Sequence, residues 1–446
     1  MLSPNELMLN SPRDLGNGLV LRRSSKLDTE RLAEFNERIH GDDEEDRIRI
    51  GIWTKDMLSG NHPTMNEDLF TIVEEKKTGK IVSSMNLIPQ TWTYQGIPFQ
   101  VGRPEAVGTD PEFRNRGLIR LQFDCVHEWS KQRGDILQGI TGIPYYYRLF
   151  GYEMAVELDA SYIGYEAQVP KLPDGQEEEF LFAAATADDI GFLKQLDDKA
   201  AKPLLLRCLR DENAWRYEVS GRSVDNCSRR QIMVILGRGG RRLGAIMHPF
   251  YLDHSYSSLV YFELVEEASF ANITPAVIRY IWNTGRQYAT VSGKTMLGFN
   301  FALIGDHPAI KISSNNLPKK KRPYSWYIRV PDLVKFIQLV TPVLENNLAH
   351  STCSGYTGFL DVCLYSKAIK FDIQNGRILN MTESKYPDEK KMDVSFPGLT
   401  FLQILFGWRD IHELRYAFPD CTLKEEKLAL VESLFPKIPS RIWPLE

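Results

Sequence analysis

Three arginines, an asparagine and a glycine lie within Arg114-Asn115-Arg116-Gly117-Leu118-Ile119-Arg120. They follow a strand-like run, Glu105 to Thr109, which Asp110-Pro111 ends. They precede a run with helical spacing: Leu118, Leu121, Cys125, Val126 and Trp129 share one face. A loop that opens a helix presents free backbone N–H groups at the positive end of the helix dipole. Gly117 removes a side chain where the backbone must approach a ligand. Together these are the parts of a pyrophosphate cradle. A basic strand-to-helix turn closed by a capping glycine uses the same residues, so the loop alone does not decide between the two.

Rival constellations carry less. Gly237-Arg238-Gly239-Gly240-Arg241-Arg242 lies between two apolar runs and no helix follows, which describes a hairpin turn. The eight histidines form no His-x-x-x-His or His-x-His pair, so no metal site is expected. There is no Gly-x-Ser-x-Gly elbow. The acidic run Asp42 to Asp46 reads as a solvated loop that could still attract a cationic amine. The basic run within Asn315 to Arg322 reads as a solvated linker.

Composition sets the frame. A chain of 446 residues with 43% hydrophobic and 25% charged residues is that of an ordinary globular protein of two or three domains. A net charge of −4 argues against a nucleic-acid partner. No apolar run reaches the ~20 residues of a membrane helix, and the first residues lack the pattern of a signal peptide. The six cysteines are scattered without a Cys-x-x-Cys pair, as in reduced core thiols. The expected compartment is therefore the cytoplasm.

The elements that must position the loop can be read on either side of it. Residues 1–17 are polar and irregular and read as a disordered lead-in. A first α/β unit spans 18–168. Leu19 to Arg22 is its first strand and Leu27 to Ile39 a helix. Asp28 is the expected N-cap, with Leu27 and Leu32 stapled across it. Phe70–Glu74 and Ile81–Pro89 read as paired strands, and a hairpin turns at Gln95-Gly96. After the loop and its helix come a strand, Ile136 to Ile143, and the turn Tyr145-Tyr146-Tyr147-Arg148-Leu149-Phe150-Gly151-Tyr152. A linker over 170–179 leads to a second α/β unit, 178–316, whose order of elements echoes the first without its loop. A third unit, 324–446, opens with Trp326 to Val330. A helix from Val330 to Asn347, two strands and two further helices follow.

A pyrophosphate loop, a helix, a strand and a Tyr-x-x-x-Gly-aromatic turn, in that order, resemble the GNAT superfamily of CoA-dependent N-acyltransferases. Arg114 and Gly117 match its loop, while Ile119 stands where a small residue is usual. Arg116-Gly117-Leu118-Ile119-Arg120 is similar to the loop of one branch, the Eis-like (enhanced intracellular survival) acetyltransferases. The resemblance implies an α/β (α+β) fold: tandem GNAT units, the second degenerate, then a sterol-carrier-protein-like α/β domain. It implies acetyl-CoA as co-substrate and an amine acceptor, which could be aminoglycoside-like, a polyamine, a peptide or a lysine. It also implies a homo-oligomer, a hexamer in this branch.

The implied roles fall on named positions. Val107, Gly108 and Thr109 would hold pantetheine and the acetyl oxygen. The amides of Arg114, Asn115, Arg116, Gly117, Leu118, Ile119 and Arg120 would take the diphosphate, and Gly142 and Ile143 would touch the cofactor. Tyr147, set by its spacing to Gly151-Tyr152, would protonate the leaving thiolate. The base would be the main-chain carboxylate of Glu446 at the chain's end, with Glu105 on the strand before the loop as the alternative. The competing reading is a non-catalytic protein that binds CoA or lipid.

Overall fold

The computed structural model describes residues 3–446. Its first body is a nine-stranded sheet. The strands run Arg13–Gly16, Leu19–Arg23, Phe70–Glu75, Ile81–Tyr94, Ile97–Thr109, Leu137–Ile140, Ser325–Arg329 and Glu153–Glu157, with Leu206–Cys208 added alongside Ile81–Tyr94. Ile81–Tyr94 and Ile97–Thr109 form one long hairpin. Its turn places Gln95 and Gly96 at positive φ (41° and 87°), the two-residue turn that matches strand twist.

Two departures from the expected unit boundaries matter for the site. Ser325–Arg329, expected to open the third unit, inserts into the first sheet between Leu137–Ile140 and Glu153–Glu157. Trp326, Tyr327 and Ile328 are all buried, and a run apolar on both faces needs a slot covered on both sides. Ala160–Gly164, expected in the first unit, instead pairs with Gly298–Leu303 of the second. The supposed basic linker contributes there too, since Lys319–Lys321 pairs with the same strand.

The amino-terminal expectation also needs correction. Residues 1–2 of the expected lead-in lie outside the described residues. The rest of 1–17 holds a helix, Pro4–Leu7, and the strand Arg13–Gly16. Trp129 Nε1 donates to the Leu7 carbonyl (2.9 Å) and Leu9 is buried, so packing orders a segment whose composition is polar. Asp28 does stand at the N-cap of the helix Thr29–His40, but its side chain makes no cap bond to that helix. Asp28 closes a capping box with Ser25 one turn earlier and pairs with Arg22 (2.6 Å). Leu27 is 91% exposed, so no staple forms. The acidic run is the start of a helix, Glu44–Leu58, with Asp43 as its N-cap. Carboxylates in a first turn favour the helix dipole. The helix carries no single apolar stripe because it is covered on several sides, and so its periodicity does not announce it.

In the second body the segment from Tyr256 to Leu264 splits at Val260. Tyr256–Leu259 runs parallel to Gly298–Leu303, while Tyr261–Leu264 joins the sheet of Arg242–His248, Gln231–Leu236 and Leu181–Ala184. The helix Phe270–Ser292 follows it. Its first turn is capped by Ser269 and preceded by Glu266 and Glu267, an arrangement that repels phosphate. The third body sets the helix Leu333–Ala349 against four strands, Gly358–Cys363, Lys367–Gln374, Arg377–Lys385 and Val394–Ser395. Its core is continuous with the first body's hairpin. Phe336 meets Phe99 and Tyr94 edge-on (5.6 and 5.9 Å between centroids), and Tyr94 Oη donates to the Leu405 carbonyl (2.8 Å).

Candidate active site

The site begins where the sheet of the first body opens. Ile97–Thr109 pairs with Leu137–Ile140 only at Val101 and Gly102. Beyond Gly102 the two strands diverge, and that edge of Arg103 to Thr109 has no strand partner among the described residues. A bulge at Ala106 (φ 51°) shifts the register against Ile81–Tyr94 and re-aims the residues beside it. An unpaired strand edge facing a cleft offers backbone donors and acceptors to an extended ligand.

A cleft of about 650 Å³ fills this opening. Val107, Gly108, Thr109, every residue from Arg114 to Arg120, and Ile143, positions that the resemblance assigns to the cofactor, line it. The loop alternates conformations: Asn115 and Gly117 are left-handed (φ 62° and 74°), and Gly117 is the N-cap of the helix Leu118–Arg133. The N–H groups of Asn115 to Arg120 donate to no acceptor among the described residues. Six such donors at a positive helix end form an anion site. A Cβ on Gly117 would meet nothing within 4 Å, so the glycine's face is open. Two of the three arginines fold over aromatic rings, Arg116 over Phe113 (4.7 Å) and Arg120 over Phe150 (5.3 Å). Gln122 anchors the helix to the sheet by donating to Ser83 Oγ (2.6 Å) and accepting from Thr71 Oγ1 (2.8 Å).

Gly142 does not line this cleft but faces the Tyr147 hydroxyl. With φ 117°, a Cβ there would sit 3.4 Å from that oxygen. Tyr147 is buried, its ring edge-on to Phe123, Tyr146 and Tyr327. Burial raises its hydroxyl pKa, the nearby Glu105 raises it further, and a hydrogen bond from the Ile143 backbone opposes both. The Tyr147 phenol is therefore protonated at neutral pH and able to donate. Tyr145 is turned away, its backbone N–H donating to Tyr327 Oη (2.6 Å). Tyr146 lines the cleft itself.

Glu105 and Glu446 meet at one guanidinium. Arg103 Nη2 pairs with the Glu105 carboxylate and, at 2.8 Å, with Oε1 of the Glu446 side chain. Ser228 Oγ donates to the other Glu446 oxygen (2.9 Å). Burial raises the Glu105 pKa and the Glu446 charge adds to it, against the pull of Arg103. Glu446 is held below the usual range: burial would raise it, but Arg103, Ser228, Arg230 and Arg222 outweigh that. The main-chain oxygen of Glu446 accepts from Arg222, which also grips Glu218 (3.0 Å).

The chain end reaches this place along a fixed track. Leu205 N–H donates to the Pro439 carbonyl and Arg441 N–H to the Leu206 carbonyl. Arg210 and Gln90 donate to the carbonyls of Pro444 (3.1 Å) and Leu445 (2.8 Å). Trp443 lies under Arg210 (3.4 Å) and edge-on to Trp215 (5.7 Å).

Several residues of the site escaped the sequence reading. Ile39 and His40, at the end of the helix Thr29–His40, line the cleft and press on Gly108, where a Cβ would lie 2.7 Å from Ile39 Cγ2. His40 is kept neutral by burial. Ser228 and Arg222 come from segments without a motif. Arg103 had a signal: it stands two residues before Glu105 on one strand, so the two share a face.

The comparisons agree with this geometry. Residues 21–155 match the family model described as an acetyltransferase (GNAT) domain. No curated protein matches by sequence. Among solved structures, the GCN5-related N-acetyltransferase from Kribbella flavida is similar at TM-score 0.61 and 15% identity, covering 96% of this chain and 98% of that one. The GCN5-related N-acetyltransferase from Anabaena variabilis is similar at TM-score 0.61 and 14% identity, covering 95% and 99%. Eis1 from Mycobacterium abscessus is similar at TM-score 0.54 and 12% identity, covering 87% and 91%. A GNAT acetyltransferase domain thus spans residues 21–155, and the chain as a whole shares its fold with these N-acetyltransferase structures and with Eis1.

Proposed function

We propose that the protein is an acetyl-CoA-dependent N-acetyltransferase acting on a primary amine. The observation that carries this reading is the cleft at the strand opening. It joins the free strand edge at Val107–Thr109 to the six N–H groups of Asn115 to Arg120; Tyr147 does not line it but stands behind, its hydroxyl against Gly142. In this reading the loop amides hold the diphosphate and the edge of Val107–Thr109 holds the pantetheine and orients the thioester. A carboxylate at Arg103 takes a proton from the ammonium so that nitrogen can attack the carbonyl carbon. The C–S bond then breaks, and Tyr147 protonates the departing thiolate. The phenol regains its proton from the amide nitrogen, leaving one acetamide, one free thiol and one proton for solvent.

Aminoglycoside-like amines, polyamines, peptides and lysine all fit as acceptors. A purely lipid-binding role has less support, because the interior of the third body is filled by Phe336, Phe371, Phe396, Phe401, Phe406 and Phe435. The test is release of free CoA from acetyl-CoA across a panel of these amines, with Tyr147→Phe and Gly117→Glu as controls. Tight acetyl-CoA binding without turnover on any amine would favour the non-catalytic reading.

A further inference from the structure

The strand Ile97–Thr109 runs towards the loop. A ligand whose diphosphate rests on the loop amides therefore extends back along Thr109, Gly108 and Val107. The strand residues before Val107 do not line the cleft. Beside this stretch the wall is the last turn of the helix Thr29–His40, through Ile39 and His40. The acyl end of a thioester held along the edge meets that turn.

The helix end is held in place. Arg38 pairs with Asp110, the residue after the strand (2.7 Å), and Lys80 grips the same carboxylate (2.7 Å). A Cβ on Gly108 would lie 2.7 Å from Ile39 Cγ2 and 3.1 Å from His40 Nε2. The helix thus rests on the strand backbone, and a glycine is what lets it approach. Behind it, Ile39 packs on the cluster that holds Phe35, Trp53, Met57 and Ala106, the residue of the bulge. Interiors of this kind are close-packed and resist an added methylene. His40 stays among them as a neutral ring, because burial lowers its pKa.

We infer that Ile39, braced by His40, is the specificity-determining residue for the acyl group, and that the donor is the thioester of a two- or three-carbon acid. The inference rests on the acetyl-transfer reading above and adds the wall that measures the acyl chain. Ile39 suits this role. Its β-branch makes χ1 stiff in a helix, so it does not swing aside as an unbranched side chain does. A longer acyl chain has two ways to fit. It can displace Ile39, and with it the contact on Gly108 and the clamp to Asp110. Otherwise it carries its carbonyl away from the strand edge. Both lose rate, because the reacting atoms no longer meet in the productive geometry.

The experiment compares acetyl-, propionyl-, butyryl- and hexanoyl-CoA as donors to one amine that the wild type acetylates. For each donor, kcat/KM is measured in the wild type, Ile39→Val and Ile39→Ala, with melting temperature as the control for folding. Ile39→Val removes one carbon from a half-buried side chain and keeps the β-branch, so it reads the wall even where Ile39→Ala fails to fold.

In the wild type we expect kcat/KM to fall from acetyl- to butyryl-CoA by about 10–200-fold or more, the range for a methylene that a pocket does not accommodate. Ile39→Ala should lower that ratio by about tenfold or more by raising butyryl transfer, with Ile39→Val between the two. A residue that merely supports the fold would slow all the donors by one factor and leave the ratio unmoved, which overturns the inference. A wild type that uses acetyl- and hexanoyl-CoA equally well overturns it too. Failure of the acetyl-transfer reading looks different: the wild type then releases no CoA from any donor with any amine.

Discussion

Gly117 allows the cofactor site to be tested with the strain of a substitution separated from its charge. The residue is left-handed (φ 74°), and a Cβ there has open space around it. Gly117→Ala therefore adds the left-handed penalty of about 1–2 kcal/mol of stability and no clash. The N–H groups stay in place, so acetyl-CoA affinity should change less than tenfold. Gly117→Glu adds the same strain plus a negative charge at the anion site. A carboxylate about 5 Å from one phosphate at an effective dielectric of about 20 costs ~332/(20 × 5), or about 3 kcal/mol, roughly 200-fold in affinity. The loop is exposed, so solvent and salt reduce this towards roughly tenfold at high ionic strength. Calorimetry of acetyl-CoA on the three proteins, at low and high salt, reads both parts. The expected order is wild type close to Ala, with Glu far weaker and partly recovered by salt. Equal affinity in all three would refute a diphosphate site at these amides. Equal loss in Ala and Glu would assign the effect to strain alone.

Other outcomes follow from the same coordinates. Tyr147→Phe should lower kcat by ~10²–10⁴-fold with acetyl-CoA binding intact, whereas Tyr146→Phe should chiefly weaken cofactor binding; the opposite pattern would move the acid to Tyr146. Trp443→Ala should cost ~2–4 kcal/mol of stability as a large-to-small change and lower kcat more than acetyl-CoA affinity, because it frees the tail that carries Glu446; chemical denaturation and kinetics check both. His307 is buried, with its pKa lowered by burial to about 4. Between pH 6.5 and 4 the unfolded state therefore binds more protons than the folded one. The contribution of His307, about 3 kcal/mol from (6.5 − 4) × 1.36, is present above pH 6.5 and lost as pH falls to 4. Melting temperatures across that window should fall in the wild type and fall less in His307→Asn. All six thiols should react under denaturant without reductant, and a stable disulfide would contradict the reading of Cys125, Cys227 and Cys421 as inert thiols pushed up to about 12 by burial.

The parts of the site legible in the sequence are those made by neighbours in the chain. Loop, glycine, helix cap and tyrosine turn are local structures, and their φ values and free N–H groups follow from residue type and order. So do the hairpin at Gln95-Gly96 and the second body's lack of a cradle, where Glu266, Glu267 and Ser269 occupy the corresponding turn. What only the tertiary structure decided involves residues far apart in sequence. Ser325–Arg329 fills a gap in a sheet that begins at Arg13, because its apolar run needs cover on both faces. Glu44–Leu58 is helical without an apolar stripe because Ile50, Gly51, Trp53, Thr54, Asp56, Met57 and Leu58, which do not share one face, are all buried. Glu105 was readable as a carboxylate on the right strand. That it shares a buried guanidinium with the Glu446 side chain depends on the path of Pro439–Glu446 between two bodies. No local propensity encodes that path: it is set by carbonyls caught by Arg210 and Gln90, and by an indole trapped under Arg210.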